Sequence, residues 1–196
     1  ETDANDALVL IYDAWNRKVA IKSDSAGSPG ATLLTLAYDG LHRRIQFTGS
    51  DTFDVYFNTS WQMIELRKNA DPDAYWQHLW CLRYIDAPVL WWRDHNQDGT
   101  VDQTQYFTND GNMNVTALIT ASSGAVYERY QYEPYGEVTV LDPDWSDDGD
   151  NWSDTGNRLT FQGTFLDNHS RMYLVRHRWS HASIGQWGRW DPKGYR

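Results

Sequence analysis

Apolar and polar residues alternate in short runs along most of the chain, and Gly, Asn, Asp and Ser separate the runs. "ALVLIYDAWNRKVAIKSD" holds two such runs, Leu8 to Tyr12 and Lys18 to Lys22, joined by Asp13-Ala14-Trp15-Asn16-Arg17. "ATLLTLAYDGLHRRIQFTGS" repeats the arrangement, with Leu33 to Tyr38, a turn at Asp39-Gly40, and Arg44 to Phe47. A period of two bounded by turn residues predicts half-buried strands joined as hairpins. A further hairpin is predicted from Val115 to Thr120 and Ala125 to Tyr132, across Ser122-Ser123-Gly124. Tyr12-Asp13 and Tyr38-Asp39 stand 26 residues apart, each closing an apolar run just before a turn. Such an internal repeat points to a stacked or spiralling β-architecture. One segment admits two readings. Asp71-Pro72-Asp73 suits a helix N-terminus leading into "AYWQHLW", while the same aromatics suit a strand.

Composition strengthens the all-β expectation. The chain has 196 residues, with 11 Trp, 12 Tyr and 6 Phe against 3 Met, and aromatic residues favour strands. Lys and Arg total 17 against 27 Asp and Glu, a formal net charge of -10. That balance argues against a nucleic-acid surface, which needs clustered positive charge, and against docking on anionic lipid. No apolar run approaches the roughly 20 residues of a membrane-spanning helix, and "ETDANDALVL" has no basic leader. The single Cys81 excludes an internal disulfide and reads as a buried spectator. The stretch "LDPDWSDDGDNWSDTGNR" carries six Asp between Asp142 and Asp154 and reads as a solvated loop.

The most pointed local chemistry is "DHNQDGTVD". Asp94, Asn96, Asp98 and Asp102 occupy the first, third, fifth and ninth positions of a calcium loop. Gly99 stands at the sixth, and Thr100 offers its carbonyl at the seventh. The twelfth position, which needs a bidentate Glu, is the neutral Gln105. Strand-like flanks, "PVLWWR" and "QTQYF", replace the two helices of that motif. The first expectation is therefore an Asx-rich hairpin turn, and the second is weak calcium binding. His169, His177 and His181 lie close in sequence without a partner at zinc spacing.

"IYDAWNRKV" and "AYDGLHRRI" resemble tyrosine-aspartate (YD) repeats, a Tyr-Asp pair followed by a turn and Arg. "YERYQYEPYGEVTVLD" is similar to the segment closing such arrays, with Glu133 in place of the usual Asp. "FQGTFLDNHSRMYLVRHRWSHASIGQWGRWDPKGY" resembles the core-domain signature that follows them. The matching positions are Phe161, Gly163, Leu166, Asp167, Tyr173, Arg176, Arg178, Trp179, Gly185, Trp187, Asp191, Pro192 and Gly194. The ordered set resembles the Rhs (rearrangement hotspot) repeat-associated core over nearly the whole chain. It divides the chain into a YD-repeat hairpin region at 1–141, an acidic loop at 142–157, and a truncated core segment at 158–196.

The resemblance implies a spiral shell of strand pairs, plugged by the core domain. The shell would enclose a C-terminal effector of the same polypeptide, secreted or displayed at a cell surface. It also implies aspartyl self-cleavage, in which paired carboxylates hold separated pKa values. Asp191 matches the first carboxylate; Arg189 lies one residue further from it than the family's Arg, with Trp190 between. The second Asp and the scissile bond are expected beyond Arg196, so this polypeptide is expected to be inert as a protease. Serine-hydrolase, phosphate-loop and dinucleotide motifs are absent from the sequence. The alternative is a carbohydrate- or protein-binding module, in which Trp91-Trp92, Trp145 or Trp152 stack on sugars, assisted by calcium.

Overall fold

The computed structural model describes residues 7–188. Twelve strands follow one another in chain order as a single antiparallel meander. They are β1 (Leu8–Tyr12), β2 (Lys18–Ser25), β3 (Ser28–Tyr38), β4 (Arg44–Thr48), β5 (Thr52–Phe57) and β6 (Met63–Lys68). The meander continues with β7 (Trp76–Trp80), β8 (Pro88–Arg93), β9 (Gln103–Asn109), β10 (Val115–Thr120), β11 (Val126–Tyr132) and β12 (Val138–Leu141). A second sheet holds β13 (Phe165–Asp167), β14 (Met172–Val175), β15 (Arg178–His181) and β16 (Gln186–Trp187). The segment "AYWQHLW" forms β7, not a helix, because Trp76 and His78 point inward while Gln77 and Leu79 face out. That is the strand period.

The hairpin turns on one edge of the large sheet share one design. In five of them the first residue donates its N–H to the carbonyl four positions on, and accepts from the N–H three positions on. The first residues are Asp13, Asp39, Asn58, Asp110 and Glu133. The fourth residue of each is left-handed: Asn16, His42, Trp61, Met113 and Gly136 have φ of 58°, 65°, 67°, 64° and 96°. This is a three-residue loop closed by a bulge, which suits the twist of the flanking strands. A left-handed non-Gly residue costs about 1–2 kcal/mol, so something must offset it. In the first four turns the side-chain oxygen of the Asp or Asn accepts two backbone N–H groups, as Asp39 does from Leu41 and Arg43, both at 2.9 Å. Glu133 makes no such bonds, and there Gly takes the left-handed position. The turn residue and its capping acid trade off against each other.

The core lies between one face of the large sheet and the segment running from Leu159 to Ala182. Ile21, Phe47, Leu66, Trp76, Trp91, Leu118, Tyr130 and Val138 meet Leu159, Phe165, Leu166, Met172, Tyr173 and Trp179. The contacts require the large sheet to curl. Ser170 accepts a hydrogen bond from Lys18 of β2 at 3.0 Å, and the next residue, Arg171, donates to the Val138 carbonyl of β12 at 3.2 Å. In a flat sheet, strands ten intervals apart would stand roughly 48 Å from each other. Neighbouring residues have Cα atoms about 3.8 Å apart and cannot touch both. The meander therefore bends around the small sheet, with β1 and β12 left as its terminal strands.

Candidate functional site

The densest chemistry sits where the two sheets meet. Alternation in β2 turns Lys18 inward, and β13 turns Asp167 toward it; both are buried. Lys18 Nζ stands 3.5 Å from Asp167 Oδ2, 3.0 Å from Ser170 Oγ and 3.3 Å from the centroid of the Trp179 ring. Ser170 donates its hydroxyl to Asp167. Arg44 of β4 lies over Phe165 and Phe47, at 4.1 and 4.7 Å. Arg158 lies 5.5 Å from the same two rings. The Nε atoms of both arginines are buried without a hydrogen-bond acceptor. Three cations thus share one carboxylate.

The electrostatics follow from that count. Burial pushes Asp167 up, but Lys18, Ser170, Arg44 and Arg158 together outweigh it and hold the carboxyl below its ordinary value. Burial lowers Lys18 to about 8, and Asp167 offsets only part of that. Burial brings Arg44 down to about 10. A second buried group lies further along the sheet: Glu128 accepts from Tyr130, Ser153 and Thr155 while its other oxygen is unpartnered. Burial raises its carboxyl. Both clusters tie the large sheet to the segment after Leu141.

Several positions of the Rhs-type signature prove to be packing partners at this junction. Gly163 is left-handed, and a Cβ there would collide with the Asp86 carbonyl. The Phe161 ring fills the space beside Gly136, whose carbonyl accepts from Tyr173 at 2.8 Å. Arg176 approaches Asp86 at 3.4 Å, and Arg178 stacks on Trp187 at 3.9 Å. Sequence reasoning placed Asp167 in the signature without seeing its partners. Lys18 is 149 residues away, and no local pattern distinguishes it from a solvated lysine.

The Asp94 loop connects β8 to β9 on the edge opposite the repeated turns. Asp94 is buried and accepts the Gly99 N–H at 2.8 Å. Asp98 accepts from Thr100 at 2.8 Å, and Asp102 from His95 at 2.8 Å. Asn96 accepts the Asp98 N–H at 3.1 Å. Each of these side chains is engaged by the loop's own backbone. Gln105 points into the core, where its Oε1 accepts from Trp91 at 2.8 Å, so the twelfth position does not face the loop. Among the described residues, no group of three or more His, Cys, Asp and Glu is arranged to hold a metal ion.

Two other expectations, on Trp91 and on Cys81, need correction. Trp91 is 1% exposed and stacks with Trp76 and His78, so it offers no platform to a sugar. Trp145 and Trp152 are exposed, but Arg129 and Arg171 lie over them at 4.4 and 4.8 Å. Cys81 is half-buried where β7 ends, rather than inside the core. Arg189 and Asp191 lie outside the described residues. The last described residue, Gly188, donates its N–H to the Trp179 carbonyl at 2.7 Å, beside the Lys18 junction.

No protein-family model matches the sequence, and no curated protein is significantly similar to it. The fold is that of a segment of solved Tc toxin chains. The crystal structure of TcdB2-TccC3 aligns over 92% of this chain at 14% identity, with a TM-score of 0.60. A TcdB2-TccC3 form without its hypervariable C-terminal region aligns over 95% at 13% identity, with a TM-score of 0.61. A Photorhabdus luminescens Tc holotoxin pore aligns over 92% at 12% identity, with a TM-score of 0.58. The chain spans 8 to 9% of the length of these structures.

Proposed function

We propose that these residues are a wall segment of an Rhs-type shell that encloses a C-terminal effector of the same polypeptide, with the small sheet as its plug. The observation carrying this reading is the curl: β2 and β12 both reach the same turn of the small sheet, through Ser170 and Arg171. A meander wound around a plug has the geometry a container needs, since each added hairpin extends the wall and hides a sheet edge. The fold shared with Tc toxin chains supports it, and one of those was solved without a hypervariable C-terminal region. Secretion or surface display follows from the same reading. The segment has no enzymatic role by itself; Asp191, preceded in sequence by Arg189 and Trp190, supplies one carboxylate of a self-cleavage site completed further along the chain.

The test is intact mass on the complete natural polypeptide. Two masses, divided shortly after Arg196 and merged into one by Asp191→Asn, are the expected result. A released C-terminal product that is digested by protease as fast before unfolding as after it would overturn enclosure. One uncut mass would remove Asp191 from catalysis.

A further inference from the structure

The two rims of turns on the large sheet differ in chemistry. On the repeated-turn rim, Trp15, Leu41 and Tyr135 each hold the third position of a turn, and they are 68%, 60% and 65% exposed. The turn asks nothing of the side chain there, because the first residue supplies the cap and the fourth takes the left-handed conformation. The β7–β8 connection, on the same rim, departs from the shared design. It spans 81–87 and leaves Leu82, Tyr84 and Ile85 in solvent. On the opposite rim, among the described residues, Val101 is the only large apolar side chain exposed in a turn joining two strands of this sheet. Charge divides the rims in the same way. Asp13, Asp39 and Asp86 of the repeated-turn rim face Arg17, Arg43 and Arg176 at 2.7, 2.7 and 3.4 Å. Across the sheet Lys68 neutralises Asp51, while Asp71, Asp73, Asp98 and Asp102 enter no ion pair among the described residues.

We propose that the repeated-turn rim binds a second copy of this chain, rim against rim across a two-fold axis. A two-fold contact presents the same patch from both sides. Apolar turns then meet apolar turns, whereas a head-to-tail contact would set them against unpaired carboxylates. Each chain carries a net charge of -10, so two copies approach best through the rim whose acids are neutralised. The six apolar side chains expose on the order of 800 Å², about what each partner contributes to a standard-size interface. Surfaces rich in Tyr and Trp and poor in net charge have the composition of interface centres. Successive turns lie about 10 Å apart along the rim, and the small sheet closes the end from within. Its β14–β15 turn brings Arg176 to Asp86 and packs His177 on Trp61 at 4.6 Å. The result is a broad face rather than an open ring.

The experiment is sedimentation velocity on the complete natural polypeptide at concentrations up to tens of micromolar, where a dimer is expected. Leu41→Asp combined with Leu82→Asp should raise its dissociation constant at least tenfold, and Tyr135→Asp, at a third turn, should act in the same direction. Val101→Asp, on the opposite rim, should leave the dimer unchanged. All four side chains are exposed, so the variants keep their fold, which circular dichroism checks. A monomer at every concentration would overturn the proposal. So would a dimer that survives the Leu41 and Leu82 substitutions, or one that Val101→Asp breaks just as readily. Enclosure is read from intact mass and protease resistance, so pairing and enclosure can fail separately.

Discussion

The Asp39–Arg43 turn and the Lys18–Asp167 junction use the same ingredients, one carboxylate and one cation, in opposite settings. The turn pair is 2.7 Å apart, four positions apart in sequence and partly exposed. Water and salt screen it, so its net contribution is about 0–1 kcal/mol. Its structural value lies in the backbone N–H groups that Asp39 accepts. The junction pair is longer, at 3.5 Å, yet both side chains are buried. There, removing one partner leaves a charge with nowhere to go. Proximity in sequence makes the turn cheap and readable; desolvation makes the junction consequential and invisible in any local pattern.

The difference can be broken first at the junction. Asp167→Asn leaves Lys18, Arg44 and Arg158 without a counter-charge and is expected to cost about 3–5 kcal/mol in urea denaturation. A loss below 1 kcal/mol would mean that the aromatic rings alone suffice to hold the cations. Gly136→Ala comes next, because its Cβ would enter the Phe161 ring and its φ of 96° disfavours any side chain. About 2–3 kcal/mol is expected from a clash and backbone strain together.

The pH response sharpens the contrast. Lys18 titrates near 8 in the folded chain, below its ordinary value of 10.5. Between those values the unfolded chain binds more protons, so stability rises with pH even though the ion pair is being discharged. A gain of about 1 kcal/mol between pH 7 and 9 is expected, and Lys18→Met should abolish it. A fall over that range would show that the attraction to Asp167 outweighs the burial of the ammonium. The turns supply the smallest effects. Asp39→Ala should cost about 1 kcal/mol through its lost capping bonds. Glu133→Asp, which shortens the acid to the length found in the other turns, should gain a few tenths of a kcal/mol. Equal effects at both positions would contradict the trade-off between cap and glycine.

Alternation located β1, β2, β4, β10 and β11 closely, because a strand that buries one face writes its period directly into the chain. Tyr12-Asp13 and Tyr38-Asp39 revealed two of the five similar turns. Asn58, Asp110 and Glu133 escaped because the shared feature is a backbone geometry that Asp, Asn and Glu can each open. The Asp94 loop reads as a turn first and a metal site second, and its side-chain oxygens accept from the loop's own amides. The candidate cleavage residues, Arg189 and Asp191, were named from the resemblance and lie outside the described residues.

The sequence by itself determined the all-β class, eight of the twelve strands of the large sheet and the chemistry of two of the repeated turns, since each depends on residues within a few positions of one another. Tertiary structure alone decided that the meander curls, that Lys18 meets Asp167, and that Trp91 is core rather than surface. Those outcomes depend on which inward-facing groups a distant strand presents. An alternating pattern says that a residue points inward, but not what it will find there.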